Sequence, residues 1–414
     1  MKLLWLCNMA PGIARENKGM GGLWIDHVLA DLRCREDITV RILFPGKPGQ
    51  RGCADDRCSY ASFQNGLPYE YLPSLEEAFG RELRSFSPHV IHVWGTEYAH
   101  TLAMVNAAEK AGMLDRLAVS IQGLCSVLAG HYAEGLPHRI QTRYTFRDLI
   151  RRDNVLQQQN KFALRGKLEV KALEKVRHVI GRTAWDRACT EKINPDARYH
   201  FCNETLREAF YEGCWSYEAC RKHRIFASSC VYPVKGFHYL LEAFAQILKK
   251  YPDATLAVLG KSFFVHSLRE RLRQSSYQRY LEELAVSHGL EEKIEFLGDL
   301  DEQGMKESFL QANVFVLPST IENSSNSLGE AMLLGVPCVS ADVGGVTTMM
   351  THEAEGYVYQ STAPYMLAHY IDRVFSREEK AEEMGAAARS HAKRTHDPET
   401  NLNTLLSIYE SIKI

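Results

Sequence analysis

Short apolar runs alternate with helical patterns along the whole chain. In the first half the runs Lys2–Cys7, Ile38–Leu43, Val90–Trp94, Leu117–Ile121 and His178–Ile180 predict strands. Apolar positions three and four apart predict helices from Leu23, near Leu75–Phe86 and from His100. A strand that is apolar throughout is one covered on both faces, and a helix between successive strands is the crossover that parallel pairing requires. The first half therefore reads as a doubly wound α/β unit.

The second half repeats the pattern. Strands are predicted at Arg224–Ser228, Thr255–Leu259, Ile294–Leu297, Val314–Leu317 and Cys338–Ala341, with helices over Gly236–Tyr251, Leu268–His288, Gln303–Ala312 and Ser327–Leu334. Leu206–His223 breaks the alternation and is the expected hinge, giving two Rossmann-like domains over residues 1–205 and 206–398. Ligands of open α/β sheets bind beyond the carboxyl ends of the strands, so the two doubly wound parallel sheets are expected to face a ligand across a cleft.

Length and composition agree with two domains and remove several function classes. At 414 residues, the chain exceeds a single domain of about 150 residues. Its 45% hydrophobic and 24% charged residues, with 49 Lys+Arg against 51 Asp+Glu, exclude a disordered or collagen-like chain and give no electrostatic reason to expect nucleic acid as a partner. No apolar run approaches the roughly 20 residues of a membrane span, and Lys2–Cys7 is too short for a signal-peptide core. The eleven cysteines are odd in number and scattered in apolar segments, which points to reduced thiols and a cytoplasmic location. Cys53/Cys58 and Cys214/Cys220/His223 are too loosely spaced for zinc, and no metal is expected.

Pro318–Gly335 is the most informative segment. Glu322 and Glu330 flank a small polar loop, Asn323–Ser327, that leads from a strand into a helix. Such a loop presents unbonded backbone N–H groups and the positive helix end to an anion. A diphosphate fits there, with Glu322 left in the loop for sugar hydroxyls and Glu330 in the helix for a second polyol; equally, Ser327 caps the helix and Glu330 decorates its first turn. In Ser229–Phe244, Lys235-Gly236 stands between a strand and a helix whose apolar face is Phe237, Leu240, Leu241 and Phe244. A lysine at that turn sits where an α/β sheet binds its ligand.

This pair, a Lys-Gly turn after the first strand of the second domain and Glu-x7-Glu within PS…E…GEAM…G.P, resembles the retaining nucleotide-sugar glycosyltransferases of family 4, with the GT-B fold. The likeness extends to Phe296–Met305 and Val336–Gly345, and its wording is similar to the bacterial branch that builds capsular, exopolysaccharide or O-antigen chains. The resemblance implies that Glu322 binds the donor sugar, Glu330 the ribose, and that Lys235 and the backbone of Asn326, Ser327 and Leu328 hold the diphosphate. It implies no cofactor, a UDP- or GDP-linked sugar as donor, and a lipid-linked glycan as acceptor. It also implies a C-terminal helix within residues 399–414 that crosses back to the first domain.

The chain departs from the family pattern in places. Cys230 stands where members carry an arginine, and Arg182 is the candidate replacement for that phosphate cation. Gln122 stands where many members place a histidine; His131 is the candidate to take over that catalytic role. Gly21 and Gly22, in the loop 18–24, match the family's Gly-rich loop and are expected beside the ligand. Arg139, Arg143, Arg147 and Arg151 recur every four residues and, if helical, form a basic stripe suited to anionic lipid headgroups at the inner membrane surface or to a lipid-diphosphate acceptor; equally, it is a solvated face paired with neighbouring acids. The expected reaction is retaining glycosyl transfer onto a growing surface polysaccharide. A degenerate sugar-nucleotide-binding protein, a GT-B-like epimerase or phosphorylase, and more distantly a dehydrogenase remain as alternatives.

Overall fold

The computed structural model describes residues 1–15, 24–47 and 49–414. The first sheet contains β1 (Lys2–Cys7), β2 (Thr39–Pro45), β3 (Arg51–Asp55), β4 (Cys58–Phe63), β5 (Val90–Trp94), β6 (Leu117–Ser120), β7 (His178–Gly181) and β8 (Arg198–Phe201), in the order β3-β4-β2-β1-β5-β6-β7-β8. Only β3 pairs antiparallel, to β4; the other described pairings are parallel. Alternate residues of β1 enter opposite layers. Leu4 and Leu6 pack with Ile91 and Val93, whereas Leu3, Trp5 and Cys7 pack on the other face, which is why the run is apolar throughout.

The second sheet is wholly parallel: β9 (Arg224–Ala227), β10 (Thr255–Val258), β11 (Ile294–Phe296), β12 (Val314–Leu317), β13 (Cys338–Asp342) and β14 (Tyr357–Gln360), ordered β11-β10-β9-β12-β13-β14. The helix Phe237–Ile247 buries Phe237, Leu240, Leu241 and Phe244, the face its spacing predicts. Two Rossmann-like parallel-sheet domains are thus the architecture, as the apolar pattern indicates.

The chain divides into compact units of Met1–Ala129, Lys161–Arg207 and His396–Ile414, and of Gly130–Asn160 and Glu208–Thr395. This differs from the expected boundaries in one segment: Gly130–Asn160, although it precedes the hinge, belongs to the second unit. Its buried Asp148 accepts the backbone N–H of Ser276 at 2.8 Å, and Arg143 clasps both carboxylate oxygens of Glu283 at 2.9 Å. A buried carboxylate needs such donors, and the second unit supplies one that no sequence spacing reveals. In the first unit, the helix Pro398–Ile412 buries Leu405, Ile408, Tyr409 and Ile412. The Tyr409 hydroxyl takes the indole N–H of Trp5 at 3.1 Å and lies 2.6 Å from His92 Nδ1.

Five features differ from the sequence expectation. The β3–β4 hairpin, β8 and β14 were not expected, because each is short and its burial mixed. The helix expected over Leu268–His288 is two, Leu268–Arg273 and Ser276–Ser287, since Ser267/Glu270 and Ser275/Gln278 each form a capping box. The basic stripe does not form. Its segment is broken into His138–Gln141 and Phe146–Arg151, the second restarted by a Thr145/Asp148 capping box. Arg143 pairs with Glu283, and Arg147 with Asp148 and Asp153.

All eleven cysteines are free thiols. Cys53 and Cys58 lie on the two strands of the hairpin, and His223 bonds Asp253 at 2.8 Å instead of joining Cys214 and Cys220. No helix among the described residues is long and apolar enough to cross a membrane.

Candidate functional site

The order of the second sheet decides where the site lies. β9 is flanked by β10 on one side and β12 on the other, so the chain's winding reverses between β9 and β12. Loops leaving the carboxyl ends of two such strands diverge to opposite faces and leave a crevice, the place where open α/β sheets bind ligands. Lys235 follows β9 and Glu322 follows β12.

These two side chains, 87 residues apart in sequence, meet: Lys235 Nζ donates to Glu322 Oε1 at 2.6 Å. Ser319 Oγ donates to the same oxygen at 2.8 Å. Lys235 is about a third exposed, at 35%, whereas Glu322 is 12% exposed, so the ammonium stands at the mouth and the carboxylate is set below it.

Glycine geometry makes this approach feasible. Gly236 has φ +64°, and a Cβ there would lie 1.8 Å from the Pro318 carbonyl oxygen. Any other residue would push the Lys235 turn off the Glu322 loop. Gly344, at φ +53°, comes equally close on the other side, where a Cβ would stand 1.9 Å from the Glu322 carbonyl oxygen. That carbonyl accepts the Gly345 N–H at 3.0 Å. The Val343-Gly344-Gly345 turn thus grips Glu322 by its backbone. Thr320 ties the same loop to the β9 turn, its N–H donating to Val234 O at 2.9 Å.

The helix Asn326–Leu334 starts at this crevice. Its N-cap Ser325 makes no side-chain cap bond. Instead the Ser327 hydroxyl bonds those of Ser325 and Ser228, each at 3.1 Å. Among the described residues no side chain caps the N–H groups of Asn326, Ser327 and Leu328, which stand at the positive end of the helix. Leu328 is buried in the core, so only its backbone is available to a ligand. Glu330, in the same helix, is 3% exposed. The arrangement offers one partly exposed cation, one carboxylate held by Ser319 and a turn of backbone donors, a set suited to an anion linked to a hydroxyl-bearing group.

The remaining sequence candidates fall elsewhere. The His131 backbone carbonyl accepts the Thr320 hydroxyl at 3.0 Å, but its imidazole Nδ1 lies 2.7 Å from Glu134 Oε2. Arg182 is a correction: it is buried in the first unit, ion-paired with Glu204, and donates to Gln122 Oε1 at 3.2 Å. Gln122 in turn donates to Glu204 Oε1 at 2.6 Å, so the glutamine in the histidine position completes a buried Arg-Glu-Gln cluster. The charge of Arg182 is matched inside that cluster rather than left for a phosphate. Cys230 is buried, its thiol pushed up to about 12 by burial, and supplies no cation. Gly21 and Gly22 lie outside the described residues. Sequence reasoning missed Ser319, Thr320 and the Gly344-Gly345 grip; the PST before Glu322 and the paired glycines were the available signals.

Residues 221–391 match the family of glycosyl transferases group 1. An uncharacterized glycosyltransferase of Methanocaldococcus jannaschii is 32% identical over 142 residues, 34% of this chain and 33% of that protein. The match thus spans about a third of that relative's length. Among solved structures, the sucrose-phosphate synthase of Thermosynechococcus elongatus superposes with TM-score 0.72 at 16% identity, covering 100% of this chain and 99% of the other. HepE of Anabaena, in complex with UDP-glucose, superposes with TM-score 0.67 at 17% identity over 99% of this chain and 100% of the other. The fold is accordingly the two-domain α/β fold of GT-B glycosyltransferases, and the group 1 match falls on the unit that carries the Lys235–Glu322 crevice.

Proposed function

We propose that this protein is a glycosyltransferase that moves a sugar from a nucleoside-diphospho-sugar to an acceptor hydroxyl, with retention of configuration. The observation that carries the reading is the Lys235–Glu322 pair at the strand reversal of the second sheet, beside a helix N-terminus without a side-chain cap. The group 1 match and the UDP-glucose bound to HepE support it.

In this reading the diphosphate displaces Glu322 from Lys235. The ammonium turns to the phosphate, and the amides of Asn326–Leu328 complete the cradle. Glu322, released from its ion pair but held by Ser319 and the Gly344-Gly345 turn, accepts donor-sugar hydroxyls. Glu330 takes the ribose hydroxyls. As the bond between the anomeric carbon and the phosphate oxygen lengthens, the negative charge gathering on the leaving group is met by Lys235 and the helix end. The acceptor oxygen bonds to the anomeric carbon on the face the phosphate leaves, and its proton passes to a phosphate oxygen. Because the protein supplies the positive charge, the reading assigns no step to a metal or cofactor. The acceptor is proposed to be a lipid-linked glycan of a bacterial surface polysaccharide, engaged by peripheral contact at the cytoplasmic face of the membrane.

Thermal unfolding with UDP, GDP, ADP or NAD, on the wild type and on Glu330→Gln, tests the donor site, since a ligand of the folded state raises its stability by mass action. One nucleoside diphosphate is expected to raise the melting temperature of the wild type and to lose that effect in the variant. A shift with NAD alone, or with none, refutes the reading. Binding without sugar transfer to any hydroxyl acceptor would leave a sugar-nucleotide-binding protein.

A further inference from the structure

A second cavity, of about 880 Å³, lies within the second unit and is not used by the donor reading. Two short helices that pack on each other, Phe146–Arg151 and Leu268–Arg273, form its wall with the loop at Val231-Tyr232. Both helices have the wrong faces exposed for a water-soluble surface. Phe146 is 55% exposed, Ile150 68% and Leu272 42%, each lining the cavity. Of the fifteen large apolar side chains exposed among the described residues, eight fall in the segments 144–150, 231–232 and 268–272. Scattered single exposures need no explanation, but a concentration of this kind marks a surface that something apolar covers.

The same cavity is strongly cationic, although the whole chain carries net charge −2. Arg147, Arg151, Lys261, Arg269 and Arg273 line it against the single carboxylate of Asp153. Arg147 is already paired, with Asp148 and Asp153. No salt bridge engages Arg151, Lys261, Arg269 or Arg273 among the described residues. Four unmatched cations beside exposed apolar side chains are complementary to one kind of molecule, an amphiphile with an anionic head. A soluble phosphate would satisfy the cations and leave Phe146 and Ile150 in water.

We propose that this cavity binds an anionic phospholipid at a membrane surface, with its phosphate among Arg151, Lys261, Arg269 and Arg273 and the upper part of its chain against Phe146, Ile150 and Leu272. The broken helix is what makes the site. Were residues 138–151 one helix, their arginines would form a continuous stripe; the restart at Thr145 instead sets Arg151 with Phe146 and Ile150 at the cavity. The proposal deepens the membrane contact of the function proposed above and rests on it for its role. Vesicle binding needs no glycosyl donor, however, so each can fail without the other.

The test is flotation of the full chain with vesicles of phosphatidylcholine alone and of phosphatidylcholine mixed with phosphatidylglycerol. The variants are Arg269→Gln/Arg273→Gln and Phe146→Ala/Ile150→Ser, all at exposed positions, with the melting temperature of the unliganded protein as the check on folding. Binding is expected only with phosphatidylglycerol, weakened by salt, and reduced about tenfold or more by either double variant. Four results would overturn it: no flotation, equal flotation with both vesicles, flotation unchanged in the variants, or self-association abolished by the apolar variant without vesicle binding. Affinity for soluble pyrophosphate without vesicle affinity would also overturn it.

Discussion

Replacing Lys235 by methionine removes the ammonium and keeps most of the stem. In the free protein that ammonium sits 2.6 Å from Glu322 Oε1, but it is 35% exposed, so water screens the pair. Its share of folding stability is then at most about 1 kcal/mol, and Glu322 keeps the Ser319 hydroxyl as a donor. The effect on a bound diphosphate is larger. A charge-assisted hydrogen bond to phosphate contributes about 1.5–3 kcal/mol, and each 1.4 kcal/mol is tenfold in affinity. Lys235→Met should therefore weaken binding of the preferred nucleoside diphosphate roughly 10- to 100-fold, while the melting temperature of the unliganded protein stays within a few degrees of the wild type. Titration calorimetry with UDP and GDP measures the first quantity and unfolding scans the second. A variant that folds normally and binds within about twofold of the wild type would refute the assignment of Lys235 as the diphosphate cation.

Gly236→Ala should destabilise the second unit and abolish nucleotide binding, because the new Cβ would meet the Pro318 carbonyl oxygen at 1.8 Å. Gly289→Ala is its control: φ is +67° with no atom within 4 Å, so the cost is left-handed strain of about 1–2 kcal/mol alone. Equal losses in a chemical melt would contradict the close-approach argument. Tyr409→Phe leaves the Trp5 indole N–H and His92 Nδ1 without their partner in a buried layer, and should lower stability by about 1–3 kcal/mol in urea unfolding. An unchanged midpoint would mean the C-terminal helix is held by apolar packing only. Glu97 is raised from 4.5 to about 7 by burial, with Glu169 adding to the rise and Arg165 and Asn8 opposing it. The folded state thus keeps a proton on Glu97 that the unfolded chain releases, so the contribution of this one group is lost as pH rises from about 4.5 to about 7, and Glu97→Gln, which removes it, should make stability depend more positively on pH over that window than in the wild type. Identical pH slopes in wild type and variant over this window would contradict it.

The runs Lys2–Cys7 and Val314–Leu317 were legible as strands because both faces of a parallel sheet are buried and the apolar signal is continuous. Lys235 and Glu322 were legible for a related reason: each stands directly after such a strand, where the loop chemistry is exposed to reading. The double capping boxes at Ser267 and Ser275 were also present in the sequence, since a cap is a local hydrogen bond between residues three apart. The edges were not. β3, β8 and β14 pair on one side or are half-exposed, so their sequences carry little apolar periodicity.

Partner choice lay wholly outside the sequence. That Arg182 would be neutralised by Glu204, that Arg147 would turn to Asp148 and Asp153, and that Gly130–Asn160 would join the second unit depend on donors and acceptors brought together by the fold. Local propensity is decided by neighbours a few residues away, and a single chain records those neighbours directly. Which charge meets which across tens of residues is decided by strand order and by the cost of burying an unpaired ion, and only the tertiary structure settles that account.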